Sequence, residues 1–131
     1  MTDSTALGAV APERIRQAVQ DYVTAVATGT GADIAALYSA DGTVEDPVGT
    51  EPHRGRAAVT AFYSPIEGFR RETELLAVKV GPGTAAFHFR VRTHLPDQVV
   101  EVDPIDVMTF DADGAITSMR AFWSTADMTA G

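Results

Sequence analysis

From Glu72 onward the chain is almost continuously strand-like. Four runs, about Glu72 to Val80, Thr84 to His94, Gln98 to Phe110 and Ala115 to Ser124, are separated by the turn sequences Gly81-Pro82-Gly83, Pro96-Asp97 and Asp111-Ala112-Asp113-Gly114. Strands joined this closely form an antiparallel meander. The segment before them has a different period. Pro12 suits a first-turn helix position, and Ile15, Val19, Tyr22, Val23 and Val26 recur at spacings of three and four until Gly29 and Gly31. Helices first and a meander afterwards predict an α+β fold, a curved antiparallel sheet wrapped around N-terminal helices.

Between these parts the reading is finer. Asp33 is expected to cap a short second helix carrying Ile34, Leu37 and Tyr38, and Asp41-Gly42 turns the chain into an extended Thr43-Val44-Glu45-Asp46. Pro47 keeps Asp46 extended. Ala57 to Tyr63 reads as a third helix ending before Pro65. At 131 residues, without a long Pro, Gly or Ser tract, the whole chain is expected to form one domain, with Met1 to Ala11 a flexible N-terminus.

The formal charge of −8, with no basic cluster larger than Arg70-Arg71, disfavours nucleic acid and anionic membranes as partners. With no cysteine there are no disulfides and no thiolate chemistry. No run approaches membrane-spanning length and Met1 to Ala11 has no signal-peptide core, so the expectation is a cytoplasmic protein. His53, His88 and His94 lack metal-ligand spacing, and no phosphate-binding loop or nucleophile elbow is present. No metal or other cofactor is expected.

Alternate strand residues face opposite sides. In the third run Val100, Val102, Asp106, Met108 and Phe110 share one face, whereas Glu101 and Asp103 lie on the other. Asp106 is therefore set among apolar neighbours. Pro104 implies an edge position or a bulge, and a bulge would invert parity beyond it. Phe87, Phe89 and Val91 share a face opposite His88, Arg90 and Arg92; Met119, Ala121 and Trp123 share another. These sets are expected on the concave side, as pocket wall or as ordinary core.

Carboxylates and tyrosines in apolar settings remain as candidate chemistry. Asp46 before Pro47 has the form of a turn residue as much as of a catalytic one. Asp106, in Ile105-Asp106-Val107-Met108, must find a partner such as an arginine or stay protonated. Tyr22, Tyr38 and Tyr63 are the only tyrosines, each placed on a buried helix face.

Together, Thr43-Val44-Glu45-Asp46-Pro47, Ala61-Phe62-Tyr63, Ile105-Asp106-Val107-Met108 and Phe122-Trp123-Ser124 resemble the bacterial ketosteroid isomerases, of cone-shaped nuclear transport factor 2-like fold. The resemblance covers about Ala18 to Ser124. It implies that Asp46 is the catalytic base, that Tyr22 and Asp106 are oxyanion donors, and that Tyr38 and Tyr63 hydrogen-bond behind Tyr22. It also implies a steroid cavity lined by Phe62, Phe89, Met119 and Trp123, to which Val26, Phe87, Val91 and Val102 are added from their faces. Ketosteroid isomerase is itself a standard worked case of carboxyl groups tuned apart, so this assignment belongs to the family.

The implied activity converts 3-oxo-Δ5-steroids to conjugated 3-oxo-Δ4-steroids by intramolecular proton transfer, and the implied assembly is a homodimer. Two other readings stay open: a related-fold enzyme of polyketide cyclase or epoxide hydrolase type, and a non-catalytic module that binds a hydrophobic ligand.

Overall fold

The computed structural model describes residues 10–131; most of the N-terminal segment expected to be flexible lies outside them. The first helix, α1, spans Pro12–Thr28 and buries Ile15, Ala18, Val19, Tyr22, Val23 and Val26, the stripe that its spacing predicts. Its last turn contains no basic residue. That role falls to Arg71, whose guanidinium donates to the carbonyls of Val26 at 2.9 Å and Gly29 at 3.0 Å, satisfying helix-end acceptors and complementing the dipole.

Helix α2 is Gly31–Ala35. Its cap is Thr30 and not Asp33: the Thr30 hydroxyl accepts from the Asp33 N–H, and the Asp33 carboxylate accepts from the Thr30 N–H. Asp33 is the third residue of the helix and closes a capping box, a position that a single acidic residue does not distinguish from the cap itself. Tyr38 opens strand β1, Tyr38–Glu45, and does not continue the helix. A two-residue strand β2, His53–Arg54, precedes helix α3, Arg56–Tyr63, and a 3-10 turn at Ser64–Ile66.

Six strands follow or complete the sheet: β3, Arg70–Gly81; β4, Thr84–His94; β5, Val99–Val102; β6, Ile105–Phe110; β7, Ile116–Phe122; and β8, Met128–Ala130. The sheet is mixed, which corrects the antiparallel expectation. Strand β1 lies parallel to β7, with Val44 opposite Met119 and Glu45 opposite Arg120, while the other pairings are antiparallel. Local turn signals report only consecutive pairings; the partner of β1 lies some seventy residues away and carries no turn signal.

Pro104 divides the third predicted run into β5 and β6 without a bulge. Val91 faces Val102 and His88 faces Ile105, so the offset against β4 is unchanged across the break. The Phe89 N–H donates to the Pro104 carbonyl at 3.3 Å, and the return bond is absent because proline has no N–H. Parity is retained, leaving Asp106 on the inner face. A bulge does lie in β3, where Leu76 is inserted between Leu75 opposite Phe89 and Ala77 opposite His88, and further register shifts lie between Tyr38 and Thr43 and between Thr109 and Phe110. Extra residues of this kind bend a strand, here the one that packs against α1.

Helix α1 lies inside this curve. Ile15, Val19, Ile34, Tyr38, Val44, Met108, Ile116 and Met119 are each at most 1% exposed and fill the floor between helices and sheet. The outer face carries ion pairs, including Arg90 with Glu74 and Arg92 with Glu101, beside the exposed apolar residues Ile105 and Phe122.

Candidate active site

Two strands set the distance between the two inward carboxyl groups. On β6, Asp106 is paired with Phe87 of β4 on one side and Ala121 of β7 on the other. On β1 the register against β7 ends at Glu45 opposite Arg120, so Asp46 follows beside Ala121. The Val48 N–H fastens the next turn by donating to the Ala121 carbonyl at 2.8 Å. A row Asp46, Ala121, Asp106 thus crosses three strands, about 10 Å from first to last. The Ala121 side chain between them is small and 1% exposed.

The loop after β1 is tied down at its base. Glu45 points away from the row: one of its oxygens accepts from Arg120 Nε at 3.0 Å and the other from the Gly49 N–H at 2.8 Å. Those contacts, the backbone bond first, hold Glu45 below the usual carboxylate range. Asp46, half-buried, is shifted the other way. Burial raises it, opposed by the hydrogen bond that Trp123 Nε1–H donates to Asp46 Oδ1 at 2.7 Å and by the charge of His53.

Asp106 is 1% exposed, and its Oδ1 is buried with no hydrogen-bond partner among the described residues. No arginine meets it. Burial first, and the charge of Asp46 second, push its pKa well above the carboxylate range. Asp103, on the opposite face, lies 3.7 Å from His88 near solvent.

The three tyrosines come from three elements and meet at one point. Tyr63, from α3, lies 2.9 Å by its hydroxyl from that of Tyr22 and 2.8 Å from that of Tyr38. All three are buried, and burial is the first reason that each is held well above the ordinary phenol range. The Tyr22 ring is fixed edge-on against Phe87 and Phe89, with centroids 6.0 and 6.1 Å away. A relay follows from the donor count: if Tyr38 donates to Tyr63 and Tyr63 to Tyr22, the Tyr22 proton is free for a ligand.

These groups share a cavity of about 210 Å³. Tyr22, Tyr63, Asp46 and Asp106 supply its polar end, and Val26, Phe62, Phe89, Val91, Val102 and Trp123 line it as expected from the sequence. Phe87 and Met119 do not. They are 1% and 0% exposed, with Phe87 behind the Tyr22 ring and Met119 packed in register between Met108 and Val44. Parity selects the correct face for both, but both are packed into the core on that face, below the cavity wall. Ile66, Thr93 and Pro104 also line the cavity without having been expected there. Thr93 could have been found, since it continues the inward series Phe87, Phe89, Val91. The contacts of Trp123 and His53 with the Asp46 environment had no local signal.

Known proteins match along nearly the whole of this framework. Residues 19–119 match the SnoaL-like domain family. A steroid Delta-isomerase of Nocardioides simplex is 58% identical over 114 residues, covering 87% of this chain and 93% of that protein. Among solved structures, SalBIII, an epoxide hydrolase/cyclase-like enzyme in pyran ring formation in the polyether salinomycin, superposes with a TM-score of 0.81 at 25% identity, covering 91% of this chain and 97% of that one. RV0760c of Mycobacterium tuberculosis superposes with a TM-score of 0.83 at 23% identity, over 93% and 99% of the two chains, a likeness of fold. The chain belongs to the SnoaL-like family, in its steroid delta-isomerase branch.

Proposed function

We propose that this protein isomerises 3-oxo-Δ5-steroids to conjugated 3-oxo-Δ4-steroids, with Asp46 as the proton carrier and Tyr22 and Asp106 as hydrogen-bond donors to the ketone oxygen. The observation that carries the reading is the pair of carboxyl groups with unlike surroundings at one end of an apolar cavity. Asp46 has an indole donor and a nearby histidine favouring its charge; Asp106 has neither and is almost completely buried.

In the first step the Asp46 carboxylate removes the proton from C4, between the carbonyl and the alkene, and the C–H electron pair moves into a dienolate. Negative charge gathers on the steroid oxygen, where the protons of Tyr22 and Asp106 are donated in hydrogen bonds. In the second step the Asp46 carboxylic acid returns its proton to C6, and the double bond is left conjugated. One carboxylate serves both carbons from one face, as an acid and base in turn. A raised pKa improves Asp46 as a base so long as it stays ionised. Each oxyanion donor of this kind contributes about 10² to 10³ in rate.

The decisive measurement is the ultraviolet absorbance of the conjugated enone when protein is mixed with a 3-oxo-Δ5-steroid. Wild-type protein generates it and Asp46→Asn nearly abolishes it; an undiminished rate in that variant would remove Asp46 from the mechanism. The likeness to SalBIII supports a second reading, in which the same neutral and ionised carboxyl groups open an epoxide. Turnover of a small epoxide without turnover of the steroid would favour it.

Self-association belongs to the same proposal. Ile105 and Phe122 are 48% and 44% exposed and are paired on the outer face of the sheet, an apolar patch suited to a second copy. Sedimentation of the protein and of Ile105→Arg tests this. One domain for the whole chain and the cytoplasmic location expected from the sequence are also proposed, and limited proteolysis and cell fractionation test them.

A further inference from the structure

The cavity has polar groups at one end, and among its lining residues one further hydroxyl stands apart from them. Tyr22, Tyr63, Asp46 and Asp106 cluster together, and the Trp123 N–H is already spent on Asp46. Thr93 is the exception. It lines the cavity from β4, three inward positions beyond Phe87, which is the residue paired with Asp106. Among the described residues no hydrogen bond engages its hydroxyl, whereas Thr73, on the neighbouring strand, donates to the Val23 carbonyl at 2.9 Å. The residue paired with Thr93 on β3 is Arg71, whose guanidinium is occupied by the carbonyls of Phe69, Val26 and Gly29. Its other paired neighbour is Val100.

Six residues of strand separate the level of Asp106 from that of Thr93, a path of at most about 20 Å. Four fused rings hydrogen-bonded at the Asp106 end reach most of that way, and an oxygen on the last ring or its short side chain closes the remainder. A ligand with hydrocarbon at that end would cover the hydroxyl and leave it unpaired, which costs affinity. A threonine hydroxyl rotates to donate to a carbonyl or to accept from an alcohol, so either oxygen function satisfies it.

We propose that Thr93 is a specificity-determining residue that selects steroids oxygenated at the D-ring end, opposite the reacting ketone. This rests on the steroid reading of the cavity but is independent of turnover. The hydroxyl adds about two- to tenfold in affinity for an oxygenated ligand over its deoxygenated counterpart, the range of one neutral hydrogen bond.

Two phenolic steroids, identical except for a carbonyl or a methylene at C17, are the probes. Their binding is read from the fluorescence of Trp123, the only tryptophan and a cavity residue. Wild-type protein and Thr93→Ser should favour the carbonyl compound by about two- to tenfold, and Thr93→Val should bind both equally. A ratio in Thr93→Val equal to that of wild type overturns the proposal, as does a wild-type ratio of one. If the phenols bind but a 3-oxo-Δ5-steroid is not turned over, the isomerase reading falls while the binding ratios still decide Thr93.

Discussion

The Trp123 indole N–H donates to Asp46 Oδ1 at 2.7 Å across 77 residues of sequence. Trp123 follows the end of β7 and Asp46 follows the end of β1, so the parallel pairing of those strands delivers donor and acceptor to the same place. The bond does two things at once. It orients the carboxylate, and it favours the charged form against burial.

Replacing Trp123 with Phe removes that donor while keeping an aromatic wall. Burial then raises Asp46 with only His53 opposing it, so the acidic limb of log kcat/KM moves to higher pH. If Asp46 is the base proposed above it works ionised, so the loss falls on the acid side of the profile, about ten- to a hundredfold there, and shrinks toward the alkaline plateau. A uniform loss at every pH would mean that Trp123 acts by packing alone.

The tyrosine relay predicts a graded series in kcat at saturating steroid. Tyr22→Phe deletes the donor itself and costs about 10² to 10³. Tyr63→Phe leaves that donor but removes the hydroxyl polarising it, for roughly two- to tenfold. Tyr38→Phe, one bond further back, costs less than Tyr63→Phe. Equal losses in all three variants would contradict a directional chain.

Asp106, the proposed second donor, also makes stability depend on pH. Its folded pKa lies well above the ordinary value, whereas the unfolded chain loses this proton near pH 4. Between those limits the native state binds more protons, so stability falls as pH rises through the window. Asp106→Asn does not ionise. Its urea midpoint should therefore gain on that of wild type between pH 4 and pH 7, while it keeps an N–H donor and more activity than Asp106→Ala. An unchanged gap between the two proteins across that range would contradict the raised pKa.

Ala121 separates the two carboxyl-bearing strands. Because Ala121 is 1% exposed, Ala121→Leu would overpack the row between Asp46 and Asp106, lowering kcat/KM by roughly five- to 150-fold if the strain on the carboxyl groups costs the 1–3 kcal/mol typical of overpacking. Binding of the phenolic probes distinguishes steric exclusion, which weakens it, from damage to chemistry, which does not.

Much of this architecture can be read from periodicity. The spacing of Ile15, Val19, Tyr22 and Val26 marks the buried stripe of α1, and alternation along the third strand run separates Asp106 from Asp103, because both periods are properties of the local backbone. Pairing partners distant in sequence escape such reasoning. The parallel contact of β1 with β7, the short β8 and the bond between Trp123 and Asp46 depend on the closed sheet. Depth escapes it as well: Phe87 and Met119 face inward but are buried in the core, Phe87 against the Tyr22 ring, while Thr93, on the same face, reaches the cavity. Asp46 is the clearest case. Its local sequence is that of an ordinary turn, while Trp123 and His53, which oppose the effect of burial on it, come from elsewhere in the sheet.

The pairing of Tyr38–Glu45 with Ile116–Phe122 also bears on how the protein is made. A ribosome that has delivered every residue through Asp111 has supplied all three tyrosines and both inward aspartates. Yet β1 then has only the two-residue β2 to pair with, and Asp46 lacks both the Ala121 carbonyl that anchors its loop and the indole that holds its charge. Asp46 acquires these neighbours only when β7 and Trp123 have been made. Stop codons or frameshifts between Ile116 and Trp123 should therefore abolish activity even where the preceding strands remain paired, because contacts of such long sequence separation form only once their last member exists.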